Sequence, residues 1–236
     1  MVSRVLHPNG DVFVTLRKIL ARVLEHYPHH GFWAMASGAK SNAKPRAKKN
    51  KLILQEARDQ FLRQAQHQPG QLDIALLLDE GLRLVNDLLG LCDYPLKTTE
   101  PLDMRKTFPS LYNNTPTKLI IPLQSSLNVS LPSNPQLRTT HQPFPDNLPV
   151  FKLFQAEITV MTSLQKPRKI TVLGDDGHEY SFLCKPKDDL RKDARLMEFN
   201  SMIIKLLKKD SDARKRRLSM SPEPGLASLI FGTRFW

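Results

Sequence analysis

Cysteine is nearly absent. Cys92 and Cys184 are the only two in the 236 residues. They are far apart and form no C-x-x-C, so neither a disulfide framework nor a zinc site is indicated, and a reducing compartment fits best. No apolar run reaches the roughly 18 residues that span a bilayer. No charged-then-apolar leader opens the chain, so secretion is not expected. The glycosylation sequon Asn128-Val-Ser130 is therefore read as idle. Aromatic residues make up only 7% of the chain while prolines number 18, which points to loop-rich stretches between packed parts.

Positive charge is plentiful. The formal net charge is +12 and the isoelectric point about 9.8. Such a balance suits acidic partners, whether nucleic acid, nucleotide phosphates or a membrane surface. It equally suits a basic piece of a larger assembly. The length allows one ordinary domain or two small ones.

Residues 11 to 27 read as an amphipathic helix, with Val12, Leu16, Ile19, Leu20, Val23 and Leu24 at helical spacing. Asn9-Gly10 makes the turn before it and Pro28 stops it. His26, His29 and His30 invite a metal reading. Pro28 interrupts them, and no carboxylate or thiol joins them, so the reading is a solvated helix end. Phe32 to Met35 is a short apolar patch. The basic stretch Lys40 to Lys51, with Lys44, Arg46, Lys48 and Lys49, is read as a solvated loop between helices, the alternative being an import signal or phosphate-binding loop. Helices are expected near 50 to 66 and near 72 to 91, the latter on Leu72, Ala75, Leu76, Asp79, Leu82, Leu84, Val85 and Leu88.

The texture changes after Cys92. Residues 93 to 116 are rich in Pro, Thr and Asn. Leu119 to Leu123 reads as an edge strand, since Pro122 cannot donate to a ladder. Residues 128 to 149 read as a long loop. Strands then dominate: Glu157 to Ser163, Lys169 to Leu173 and Glu179 to Lys185, with Gly174-Asp-Asp-Gly177 as a hairpin turn. A helix capped by Asp188 or Asp189 runs to about Lys208, with Leu196, Phe199, Ile203 and Leu206 on one face. The expected fold class is α+β.

The unit strand, loop, strand, turn, strand, helix, with Lys185 ending the third strand, suits phosphoryl transfer. A lysine there can direct its ammonium at nucleotide phosphates while an acid on the next helix orients it. Negative charge on phosphate oxygens needs such a cation.

Lys185-Pro-Lys-Asp-Asp-Leu-Arg-Lys-Asp193 resembles the K-x-x-D-D-L-R-x-D segment of the phosphatidylinositol-3-kinase-related protein kinases. With Cys184 before it and Arg195-Leu-Met-Glu-Phe-Asn200 after it, the segment is similar to the ATR-type checkpoint branch. Ser163-Leu-Gln-Lys-Pro-Arg-Lys169 resembles that branch's phosphate loop, which is not a G-x-G-x-x-G. Ile121-Pro-Leu-Gln124, Pro143-Phe-Pro145, Val12-Phe-Val14 and Tyr27-Pro28 carry the resemblance upstream.

The resemblance implies a helical FAT-like region over 1–116, part of a phosphatidylinositol-3/4-kinase-like catalytic domain over 117–218 (the antiparallel strands and first helix of the small lobe), and a tail over 219–236 outside the family pattern. It implies ATP binding by Lys185, Asp193, Ser163, Leu164, Gln165, Lys166, Pro167 and Arg168. It further implies Mg2+ or Mn2+ in the full-length enzyme, protein substrates, an ATR-interacting partner subunit, indirect DNA association, no membrane, and a nuclear location. After Leu218 the sequence departs from the pattern. No Asp-Arg-His-x-x-x-Asn catalytic loop and no Asp-Phe-Gly equivalent follow. The expectation is an inactive fragment of a non-specific serine/threonine protein kinase, with the large lobe missing, no catalytic residue and no metal ligand. The tail reads as a truncated or wrongly spliced gene. The alternative is a non-catalytic basic scaffold for nucleic acid or a protein.

Overall fold

A computed structural model describes residues 2–40, 43–63, 72–114, 117–127, 129–132, 134, 140–218 and 230–234. After a short 3-10 helix (Val2–Leu6), helices α1 (Gly10–His26), α2 (Pro28–Ala39), α3 (Lys44–Arg63) and α4 (Ile74–Asp93) fill the first part. Asn9 caps α1, its Oδ1 accepting from the Asp11 N–H at 2.7 Å and satisfying an otherwise orphaned donor. Leu20, Ala21 and Leu24 of α1 are buried, while Ile19 and Val23 lie exposed at the edge of the stripe.

Two helix readings change. The Phe32 to Met35 patch belongs to α2, which Pro28 begins: its fixed φ and missing N–H suit a first helical position. Pro28 thus ends one helix and starts the next. The basic stretch is no loop, because Lys44 to Lys51 form the first two turns of α3. Lysine and arginine are good helix formers, and Asn50, Ile53, Leu54, Ala57 and Phe61 give the helix a buried side.

Helix α4 is apolar on more than one side. Ile74, Ala75, Leu77, Leu78, Leu84, Val85, Leu88, Leu91 and Cys92 are all buried, because the helix packs on α2 and α3 and also on the sheet. Gly81 permits a close approach to α2: a Cβ there would sit 2.5 Å from the Phe32 ring.

Beyond α4 come β1 (Leu102–Asp103), α5 (Met104–Thr107), α6 (Pro109–Asn113) and α7 (Gln124–Leu127). The strand expected over 119 to 123 is reduced to one bridge, Ile120 to Val150. Around it the Thr117 and Ile121 N–H groups donate to the Phe151 and Pro149 carbonyls and the Phe151 N–H to the Leu119 carbonyl, and the turn from the Leu123 carbonyl to the Ser126 and Leu127 N–H groups then begins α7.

The sheet holds β2 (Phe151–Phe154), β3 (Glu157–Val160), β4 (Arg168–Gly174), β5 (Glu179–Asp189) and β6 (Ile230–Arg234). Strands β3, β4 and β5 form the expected antiparallel meander. Strands β2 and β3 both pair with β4, β2 at its Gly174 end and β3 at its Arg168 end. They are two halves of one edge, broken at residues 155 and 156. Gly177 closes the β4–β5 hairpin at φ 81°, where only glycine is unstrained. From the tail, β6 runs parallel to β5, a pairing with no signal in the local sequence.

Helix α8 (Leu190–Lys209) follows β5 and is succeeded by α9 (Ser211–Lys215). Its apolar face does not pack on Ile170, Val172 and Leu183 as the periodicity suggests. Leu196, Phe199, Met202 and Leu206 are each more than half exposed. Helix α4 packs on β5, and α8 contacts α9 and β6 instead.

Candidate functional site

Strand alternation sorts the site. Arg168, Ile170 and Val172 of β4 pair with Cys184, Phe182 and Tyr180 of β5. All but the partly buried Tyr180 are fully buried on the side that α4 covers. The opposite face carries Lys169, Thr171 and Leu173 against Leu183, Ser181 and Glu179. Successive strand residues point to opposite faces, so Lys185 shares a face with Leu183 and Ser181. That face is only partly covered: Thr171, Leu173, Ser181, Leu183 and Lys185 are half-buried and Lys169 is exposed. Two cations thus lie beside aliphatic surface on one open side of the sheet.

The β3–β4 connection is a compact turn. The Met161 N–H donates to the Pro167 carbonyl at 2.9 Å and the Lys166 N–H to the Ser163 carbonyl at 2.9 Å. Ser163, Leu164 and Gln165 form the exposed tip, with Leu164 wholly in solvent. Lys166 adopts φ 46° and its Nζ donates to the Lys97 carbonyl at 2.8 Å. Pro167 is buried. Arg168 is 3% exposed, and its guanidinium donates to the Tyr94 carbonyl. The two cations of the loop are therefore tied to the segment leaving α4, while the tip points outward. Burial holds the Arg168 guanidinium below its ordinary pKa, opposed by the nearby Cys92, Cys184 and Asp93.

Asp193 lies in the first turns of α8, as the sequence implies, but its side chain is outside the described residues. So are those of Asp188 and Asp189, and with them the expected helix cap and the Lys185–Asp193 pairing.

His26 is exposed at the end of α1, as expected, but His29 and His30 are not a solvated helix end. Burial and the neighbouring His30 push His29 down to about 4. The His30 ring stacks on Phe144 with centroids 3.5 Å apart, and its Nε2 lies 3.1 Å from the Ser126 carbonyl. Tyr27 meets Phe144 edge-on at 5.4 Å. Segments that carried the resemblance separately, Tyr27-Pro28, Gln124 with its helix, and Pro143-Phe-Pro145, meet here. No local pattern shows that contact, since the partners lie about a hundred residues apart.

A helical layer joined through α4 to a largely antiparallel sheet makes this an α+β fold. Solved structures support that class. The chain is similar over 93% of its length to the open conformation of CtTel1, with TM-score 0.62 and 17% identity, covering 8% of that chain. A structure of the FAT and kinase domain of CtTel1 matches with TM-score 0.61 and 17% identity over 93% of this chain and 14% of that one.

Sequence relatives narrow the class. Protein kinase rad3 of Schizosaccharomyces pombe is 39% identical over 218 residues, 92% of this chain and 9% of the relative. The serine/threonine-protein kinases ATR of Arabidopsis thaliana and Drosophila melanogaster are 36% and 32% identical, each over 92% of this chain and 8% and 9% of their own lengths. Residues 1–73 match the family described as serine/threonine-protein kinase ATR-like, HEAT repeats. The chain is similar along nearly its whole length to these ATR-type kinases, and it spans less than a tenth of the length of these relatives.

Proposed function

We propose that this chain is part of a serine/threonine protein kinase of the DNA-damage and replication-stress checkpoint, and that it contributes one wall of an ATP site while being inactive alone. In this reading, residues 1–116 are FAT-like helices, 117–218 the start of the catalytic domain and 219–236 an unrelated tail. The full-length enzyme transfers the terminal phosphoryl group of ATP to protein serine or threonine in the nucleus, with a partner subunit and indirect access to DNA.

The observation that carries the reading is the position of Lys185. It lies within β5 on the open face of the sheet, two residues beyond Leu183, which pairs with Lys169, and the strand expected to end there runs on to Asp189. Leu173, Leu183 and Thr171 offer an apolar bed for a base and sugar, and the lysine supplies positive charge where phosphates would lie. Ser163 to Gln165 would close over them, while Lys166, Pro167 and Arg168 hold that loop to the end of α4. Asp193 would orient Lys185. Such transfer employs Mg2+ or Mn2+, for which no group of three His, Cys, Asp or Glu gathers among the described residues.

Titration of the purified chain with a fluorescent ATP analogue tests the reading. Binding should be weaker than about 1 μM, or roughly 8 kcal/mol, because the rest of the pocket lies in a large lobe. Lys185→Met should weaken it further, and labelled phosphate should not reach a peptide. Binding unchanged by Lys185→Met would remove the lysine from the site.

A second reading, a basic scaffold, has its own observation. Lys44, Lys48 and Lys51 line one open depression along α3 with no acid among them, at a helix N-terminus where cations are disfavoured. Duplex DNA binding whose salt dependence falls by about one unit of slope per lysine removed would favour it.

A further inference from the structure

Helix α3 carries a row of cations that the fold does not use. Lys44, Lys48 and Lys51 stand at i, i+4 and i+7, so they share one face. All three are exposed, and none makes an ion pair or hydrogen bond among the described residues. Lys49, off that face, is taken up within the fold. Its Nζ donates to the His7 carbonyl at 3.5 Å and lies 4.5 Å from the centre of the Phe13 ring. Acids near the row are also committed, Glu56 to Arg17 at 3.3 Å and Asp79 to Arg58 at 3.2 Å. Cations in the first turns of a helix oppose its dipole, and an anion laid along the row would offset that repulsion.

The row borders a groove, not a flat face. The three lysines, with Ala47, Leu52 and Gln55, line an open depression of about 400 Å³. A second, of about 250 Å³, lies between α3 and α4 and shares Lys51 and Gln55 with the first. Its lining includes Leu54, Leu78 and Leu82, and a fourth cation, Lys40. Lys40 is half-buried, and burial together with Lys51 holds its ammonium below the ordinary pKa. Leu52 is 42% exposed, an aliphatic side chain left half in water beside the lysines. The groove therefore sets cations along an aliphatic floor. From Lys44 to Lys51 it follows about 10 Å of helix, at 1.5 Å per residue.

We propose that this groove docks an acidic amphipathic helix of a partner protein, its carboxylates on Lys44, Lys48 and Lys51 and its apolar edge on Leu52 and the crevice between α3 and α4. Charge complementarity selects the sign of the partner. The aliphatic floor selects its class. A phosphate chain gains nothing from Leu52, Leu54 and Leu82, and no aromatic ring lines either depression to stack a base. A helix presents carboxylates at the same i, i+4 and i+7 spacing as the lysines, with apolar residues beside them. A second copy of this chain is a poor occupant, since each carries a net charge of +12. The proposal rests on the scaffold reading, narrowed from nucleic acid to protein, and is independent of the ATP site.

The test uses the full chain at about 0.15 M salt. The probe is a fluorescein-labelled helical peptide with glutamates beside a leucine stripe, followed by fluorescence anisotropy. Saturable binding is expected. Lys44→Gln, Lys48→Gln and Lys51→Gln together should weaken it about tenfold. Lys205→Gln, Lys208→Gln and Lys209→Gln together remove the same charge from exposed positions of α8 and should weaken it less than about twofold. Leu52→Gln should weaken it about threefold, as should glutamine in place of the leucines of the peptide. Glutamine is about as good a helix former as lysine, and circular dichroism checks the fold of each variant. Lys185→Met, which tests the ATP site, should leave peptide binding unchanged, so the two readings fail separately. No saturable binding, equal losses in the two triple variants, or binding indifferent to Leu52 and to the leucines of the peptide would overturn the proposal. So would a DNA duplex that binds more tightly than the peptide and displaces it through the same three lysines, which would assign the row to nucleic acid.

Discussion

The Trp33 indole N–H donates to the Ile120 carbonyl at 2.9 Å, tying α2 to the segment that leads into the sheet. The two residues are 87 apart in sequence. Ile120 is itself buried and bridges to Val150, so the bond connects the helical layer to the edge of the strands.

Trp33→Phe should keep most of the apolar contact but leave the Ile120 carbonyl without its donor. A buried acceptor left unsatisfied costs about 1 to 3 kcal/mol. Urea unfolding should show a lower midpoint with an unchanged slope.

Gly81→Ala sets two effects against each other. Alanine gains about 1 kcal/mol of helix propensity over glycine. Its Cβ would sit 2.5 Å from the Phe32 ring, and overpacking of that kind costs about 1 to 3 kcal/mol. The ring lies in a fully buried core, so the clash should win and the melting temperature should fall.

Acid should destabilise the fold through His29. Its folded pKa of about 4 lies below the ordinary 6.5, chiefly because of burial. The unfolded chain therefore takes up a proton first as pH falls. The contribution of the neutral histidine is complete above pH 6.5 and is lost progressively down to pH 4. At pH 5 the loss should be roughly 2 kcal/mol. Denaturation of the wild type and of His29→Asn at pH 7 and pH 5 measures it: the variant should lose less stability between the two.

Two phenylalanines should behave oppositely. Phe182→Ala removes a buried ring and should cost about 3 to 5 kcal/mol. Phe199→Glu, on the exposed face of α8, should change stability by less than about 0.5 kcal/mol. A large loss at Phe199 would show that the face is covered in solution.

The sequence alone determined much of the local structure. Period-two alternation and the Gly174 to Gly177 turn specified the β3–β5 meander, because backbone pleat and positive φ impose their pattern on neighbouring residues. The leucine spacing of α1 and α4, and the segment from Cys184 to Asp193, gave the helices and the kinase resemblance. What depended on distant partners was not legible. The apolar face of α8 predicted packing on the sheet, whereas α8 contacts α9 and β6, and periodicity records only that a face is apolar, not what covers it. His29 and His30 read as a solvated terminus until Phe144 and Ser126 arrived from beyond residue 120. Arg168 read as one more cation in a phosphate loop, yet alternation along β4 and the approach of α4 bury it against the Tyr94 carbonyl and two thiols. Burial and electrostatics at such positions are sums over groups far apart in the chain, so only the tertiary fold decides them.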